Sequence, residues 1–225
     1  MTTSDRPSSP QHSTLDTRHS PATVFLVDDD ASVRRALTRL IKSAGYQVQN
    51  FASAQEFLDA KPQWCGAACL VLDIRMPGLN GLGLQRELQA ANAILPIIFI
   101  TGHGDIPMSV KAMKAGAVDF LSKPVREETL LPAIEQALAR AVRARAERKE
   151  FDEIQRRVDT MTPREREVMA WVVRGLLNKQ IAFELGTVEK TIKVHRARVM
   201  EKMDVDSLAE LVRLAERVGI GKTSR

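Results

Sequence analysis

Between residues 22 and 125, short apolar runs alternate with segments of helical period, and this alternation narrows the possible folds more than any other feature of the chain. "TVFLVD", "YQVQNF", "CLVLD", "PIIFIT" and "AVDFLS" have the length and the β-branched or aromatic content of strands. Between the first two, "SVRRALTRLIKSAG" sets Val33, Leu37, Leu40 and Ile41 on one helical face, and Gly45 ends it. "SAQEFLDA", "GLGLQRELQAA" and "IPMSVKAMKAGA" supply further helices. Five strands alternating with helices predict a doubly wound parallel sheet, an α/β unit. In such sheets ligands bind beyond the carboxyl ends of the strands, where the strand order reverses.

The first strand runs directly into Asp28, Asp29 and Asp30. Like charges this close repel, and each loses hydration if buried, so three in a row need a reason. A solvated turn with an acidic cap for the next helix is one. The other strand ends supply a second. The third strand ends in Asp73, the fourth in Thr101, and the fifth delivers Lys123 in "VDFLSKP". A lysine before proline, or a threonine before glycine, is by itself an ordinary surface residue; Asp28, Asp29, Asp73, Thr101 and Lys123 together at strand ends form a pocket. Several carboxylates side by side suit a hard divalent cation, Mg2+ or Mn2+, completed by water or a phosphate oxygen. Asp73 is then a carboxylate nucleophile that yields an acyl phosphate. Asp29, with Asp28 through a water, holds the metal. Lys123 and the Thr101 hydroxyl take phosphate oxygens. "RMPGLNG", with Pro77, Gly78 and Gly81, bends the chain over the nucleophile.

The remainder is helical. In "EETLLPAIEQALARAVRARAERKEFDEIQRRVD", Leu130, Ile134, Leu138 and Val142 make an apolar stripe, which predicts a last helix for the first domain that continues as a linker; Pro132 is tolerable there only near the start. "TPREREVMAWVVRG" opens with Thr162 as cap, Pro163 at the first helical position and Glu165 three residues on. Three more helices follow. Residues 162–225 carry 13 Lys and Arg against 9 Asp and Glu, and so hold four of the chain's five excess positive charges. A small basic helical unit attached to a near-neutral larger one points to nucleic acid. In "EKTIKVHRARVMEKM", Ile192, Val199 and Met203 should face a core, leaving Lys190, Val194, Ala197, Arg198 and Glu201 outside. Lysine and arginine suit phosphate or guanine, and small apolar side chains suit thymine methyls. A solvated helix face would show the same charges.

"VFLVDDD", "VLDIRMPGLNG", "FITGHGDIPMSVKAMKAGAVDFLSKP" and the basic helical unit together resemble a two-component response regulator of the FixJ kind. That family joins a flavodoxin-like receiver domain to a LuxR-type helix-turn-helix domain. The resemblance implies a tail at 1–21, a receiver at 22–137, a helical linker at 138–160 and a four-helix DNA-binding domain at 161–225. It implies that Asp73 takes phosphate from a sensor histidine kinase, and that Asp28, Asp29, Asp73 and the backbone carbonyl of Arg75 serve the metal. Thr101 and Phe120 would report phosphorylation by moving inward, and the face of the fourth helix, fifth strand and fifth helix would dimerise. In "NKQIAFEL" and "KTIKVHRARVMEKM" it implies promoter contacts from Asn178, Lys179, Lys190, Thr191, Lys193, Val194, Ala197 and Arg198, with RNA polymerase as a further partner. One departure stands out: "GTVEKT" has Thr187 and Val188 where the family has an apolar residue and a serine cap. Valine cannot cap a helix, so either Thr187 caps one residue early or the turn is less tightly fixed.

Two other readings make different demands. A metal-dependent phosphohydrolase would need an acid two residues after Asp73, and position 75 is Arg. A small-molecule-sensing LuxR regulator would have no use for carboxylates at strand ends. "MTTSDRPSSPQHSTLDTRHSP" has no basic start and no apolar centre and reads as a disordered tail, not a signal peptide. No apolar run reaches the roughly 18 residues of a membrane span, so a cytoplasmic location is expected. Cys65 and Cys69 form a lone pair without a nearby histidine, and Cys69 reads as a small core residue.

Overall fold

The computed structural model describes residues 22–64, 66–102 and 106–221, with the backbone alone at 106 and 107. The expected tail at 1–21 and Cys65 lie outside the described residues. The chain divides into two compact units, one up to residue 142 and the other from residue 143.

In the first unit, β1 (Thr23–Val27), β2 (Gln47–Phe51), β3 (Ala68–Asp73), β4 (Ile97–Thr101) and β5 (Asp119–Ser122) form one parallel sheet in the order β2-β1-β3-β4-β5. Between them run α1 (Ala31–Ser43), α2 (Ala54–Ala60), α3 (Gly81–Ala90) and α4 (Ile106–Lys114). The period of two along each strand sorts the core by face. Phe25, Val27, Leu70, Leu72, Ile97 and Phe99 pack with α2, α3 and α4, while Val24, Leu26, Val71, Ile98 and Ile100 pack with α1 and the helix that follows β5. Cys69 joins the second set as a fully buried thiol, which burial pushes up to about 12. The order of connection reverses between β1 and β3, so a crevice opens at their carboxyl ends.

The helix α5 (Glu127–Asp159) contributes to both units. Leu130, Ile134 and Leu138 are buried in the first core as the stripe predicts, but Val142 is 55 % exposed and Ala141 is buried in its place. Pro132 also departs from expectation. It is the sixth residue of α5, past the first turn, so its missing N–H leaves the Glu128 carbonyl without a helical partner. Both residues are exposed, which leaves that carbonyl to solvent. Among the described residues no helix is long and apolar enough to cross a membrane.

In the second unit, the end of α5 is followed by α6 (Pro163–Val173), α7 (Asn178–Glu184), α8 (Glu189–Met203) and α9 (Leu208–Arg217). The core gathers Val168, Met169, Val172, Ile181, Ile192, Val199, Met203 and Leu211, and also Ile154 and Val158 from α5.

Candidate functional site

The end of β1 divides its three carboxylates between two tasks. Asp30 is the cap of α1: its Oδ1 accepts from Ser32 N–H at 2.7 Å and Val33 N–H at 3.3 Å. The Ser32 hydroxyl, which donates to the same oxygen at 2.6 Å, and these two amides hold its carboxyl below the usual carboxylate range. Asp28 and Asp29 are left for the crevice. One oxygen each from Asp28, Asp29 and Asp73 lies within 4.8 Å of the others. Asp28 and Asp73 are buried, and Asp29 is exposed.

Lys123, the residue after β5, closes the cluster. Its Nζ stands 2.7 Å from both Asp28 Oδ2 and Asp73 Oδ2. The bond to Asp73 is directed, whereas Asp28 Oδ2 sits at ion-pair distance without hydrogen-bond geometry and is buried with its lone pairs undirected. Burial raises the Asp28 pKa, and the ion pair with Lys123 and the bond from the Asp30 amide only partly oppose it. Burial works against charge on Lys123 as well, but the adjacent carboxylates of Asp28 and Asp73 outweigh it, so its pKa stands above the ordinary lysine value. Three carboxylates therefore face one ammonium. That negative excess, with the undirected oxygen of Asp28 and the oxygen-only donor set, fits a hard divalent cation.

The chain around Asp73 is built for close approach. Asp73 Oδ1 accepts from the Arg75 N–H at 3.2 Å, and the Arg75 side chain is exposed. The Gly81 N–H donates to the Ile74 carbonyl at 3.0 Å. A side chain at Gly81 would put its Cβ 2.4 Å from the Asp73 carbonyl oxygen, so only glycine lets α3 start against this strand end. Thr101 is buried at the end of β4, one residue past Ile100, the register partner of Asp73. Phe120 is the register partner of Phe99 and packs, half-buried, on the core beside α2–α4, not in the acidic crevice.

In the second unit, Ile192, Val199 and Met203 are buried, as the spacing along α8 predicts. Lys190, Lys193, Val194, Ala197 and Arg198 are exposed, Lys179 is exposed on α7, and Thr191 is half-buried. Asn178 is half-buried too, and its Oδ1 accepts from Arg196 Nη1 at 3.3 Å, which ties α7 to α8. Val188 occupies the cap of α8 without a side-chain bond. Thr187 does not cap early; its N–H closes the end of α7 on the Ala182 carbonyl at 2.9 Å.

Sequence reasoning missed several residues of this layout. Arg34 donates to the Asp28 carbonyl at 2.6 Å, and only the first-turn spacing after "DDD" hints at it. Gln85 is buried and reaches the Ala115 carbonyl at 3.1 Å beyond the end of α4; a lone glutamine on the apolar face of "GLGLQREL" is its trace.

Comparisons with known proteins follow the same division. The family of response regulator receiver domains matches residues 24–135, and the luxR family of bacterial regulatory proteins matches residues 159–215. Nodulation protein W of Bradyrhizobium diazoefficiens is 50 % identical over 199 residues, covering 88 % of this chain and 87 % of that protein. The transcriptional regulatory protein FixJ of the same organism is 46 % identical over 197 residues, 88 % of this chain and 96 % of that one. Among solved structures, the response regulator StyR is 49 % identical with a TM-score of 0.74, covering 88 % of this chain and all of that one.

Proposed function

The chain belongs to the two-component response regulators that join a receiver domain to a LuxR-type DNA-binding domain, transcription regulators controlled by phosphorylation, and from that premise we propose that Asp73 is the residue that accepts the phosphoryl group. The observation that carries this reading is the position of the Asp73 carboxylate, buried at the carboxyl end of β3 between the Lys123 ammonium and the carboxylates of Asp28 and Asp29.

An Asp73 oxygen attacks phosphorus, the P–N bond to the phosphohistidine of a sensor kinase breaks, and the imidazole leaves with the electron pair. Asp28, Asp29, Asp73 and the Arg75 carbonyl would hold Mg2+ or Mn2+, which when bound neutralises charge on the phosphoryl oxygens. Lys123, already paired with Asp73 Oδ2, takes one phosphoryl oxygen. Thr101 donates to another, and Phe120 follows it inward. The α4–β5–α5 face, where Val110 and Met113 of α4 are each 45 % exposed, then pairs with a second copy.

The paired DNA-binding units meet promoter half-sites through α8. Lys179, Lys190, Lys193 and Arg198 serve phosphates or guanine, Val194 and Ala197 meet thymine methyls, and Asn178 and Thr191 support them. We read the protein as cytoplasmic, with RNA polymerase as a further partner and no turnover of its own, since Arg75 offers no general acid. Replacing Asp73 with Asn tests the central step. After treatment with acetyl phosphate and Mg2+, intact mass should rise by one phosphoryl group in the wild type and not in Asp73→Asn; an equal gain in both would refute the assignment.

A further inference from the structure

The loop between β1 and α1 contains a bond that none of the chemistry above uses. Arg34, half-buried in α1, turns its guanidinium back along the chain, and Nη1 donates to the Asp28 carbonyl oxygen at 2.6 Å. The turn that bears it is braced in turn: Thr38 Oγ1 lies 2.6 Å from the Arg34 carbonyl and 2.9 Å from Asn50 Oδ1 on β2. The N–H and Oδ1 of Asp28 are also engaged. Its N–H donates to the Phe51 carbonyl at 3.3 Å, its Oδ1 accepts the Asp30 N–H at 2.9 Å, and its Oδ2 faces Lys123.

Asp29 is the opposite case. It is exposed, and among the described residues none bonds to its carboxylate, yet one of its oxygens stands within the 4.8 Å cluster. Its direction must therefore come from the backbone. The peptide between Asp28 and Asp29 is planar, so whatever fixes the Asp28 carbonyl also fixes how the Asp29 Cα leaves the loop. Arg34 is the side chain that does so.

We propose that Arg34 is a positioning residue for the divalent-cation site, aiming the Asp29 carboxylate through the Asp28 carbonyl. The proposal rests on the reading of Asp28, Asp29 and Asp73 as a Mg2+ site.

The test is calorimetric Mg2+ titration of the full-length protein as a double-mutant cycle. Arg34→Met should weaken Mg2+ about tenfold, the low end for losing a residue that orients a metal ligand. Arg34→Lys, which keeps a donor, should recover part of the loss. In an Asp29→Asn background, Arg34→Met should add nothing, because the carboxylate it aims is gone. Without metal, the Asp30 amide should exchange hydrogen faster in Arg34→Met while the β3 amides keep their protection, a pattern general unfolding would not give. Unchanged Mg2+ affinity in Arg34→Met, or an equal loss with and without Asp29, would overturn the role of Arg34 alone. If Asp29→Asn leaves Mg2+ affinity intact, the metal reading falls and takes the proposal with it. Should Arg34→Met fail to fold, Arg34→Gln and Arg34→Lys complete the same cycle.

Discussion

Glu165 carries an unusual load for one side chain. It is the third residue of α6, only 2 % exposed, and its Oε2 accepts both Lys202 Nζ at 2.6 Å and the Thr162 N–H at 2.9 Å. The bond from Lys202, helped by the Thr162 amide, brings its pKa from the ordinary 4.5 to about 2. Because the folded value is depressed, the stabilisation is fully present above the unfolded value and is lost as pH falls from about 4.5 toward 2. Lys202 belongs to α8 and also donates to the Thr160 carbonyl at 2.9 Å, so the pair ties α8 to the start of α6. Protection factors of the α6 and α8 amides, which correct for the intrinsic slowing of exchange in acid, should therefore fall in the wild type as pH drops from about 4.5 toward 2. In Glu165→Gln protection should be lower at pH 7 and nearly flat across that window. A wild-type profile equally flat would show that the pair contributes nothing there.

At the scale of elements, the four helices that follow α5 differ in how they begin. Thr162 and Ser207 cap α6 and α9 through their hydroxyls, bonding Glu165 N–H and Glu210 N–H. Leu177 and Val188 begin α7 and α8 with no oxygen to offer; Gln180 reaches back to the Leu177 N–H, but nothing returns the bond. Both apolar caps are exposed, Leu177 at 68 % and Val188 at 64 %. Val188 already has the extended backbone of a cap, with φ −104° and ψ 150°. Val188→Ser should therefore raise the stability of the second unit by about 1 kcal/mol, read as a higher urea midpoint at unchanged slope. A lower midpoint would mean that Val188 packs against something its exposure does not reveal.

The missing cap was legible in the sequence because capping is local. So were the five strands, the helices between them and the residues at the strand ends, since period and strand-end chemistry need only neighbours in the chain. What was not legible depends on distance. Gln85 finds its partner carbonyl 30 residues away, and the partners of Ile154 and Val158 lie on other helices. The stripe on α5 shows the same limit: periodicity marks which face is apolar, but not that the core stops before Val142.

For the whole molecule the consequence falls on α5, which gives Leu130, Ile134 and Leu138 to one core and Ile154 and Val158 to the other. Sequence periodicity assigns the last two to a linker, yet they are only 3 % and 4 % exposed. Beside them Arg157 Nη1 donates to the Met203 carbonyl at 2.7 Å, and the guanidinium pairs with Asp204 at 3.5 Å, at the carboxyl end of α8. A fragment of residues 162–225 keeps α8 and four of the five excess charges but loses all of these contacts. Two buried branched side chains are worth about 3–6 kcal/mol together. A unit of roughly 60 residues has only a few kcal/mol to lose. Residues 162–225 alone should therefore show little cooperative urea unfolding and weak DNA binding. Residues 143–225 should unfold cooperatively and bind duplex DNA without phosphodonor or Mg2+. Within that longer fragment, Ile154→Ala should cost about 2–5 kcal/mol, approaching the behaviour of the shorter one. If both fragments share one urea midpoint, the end of α5 is no part of the DNA-binding fold, and its burial there contributes nothing to holding α8 in place.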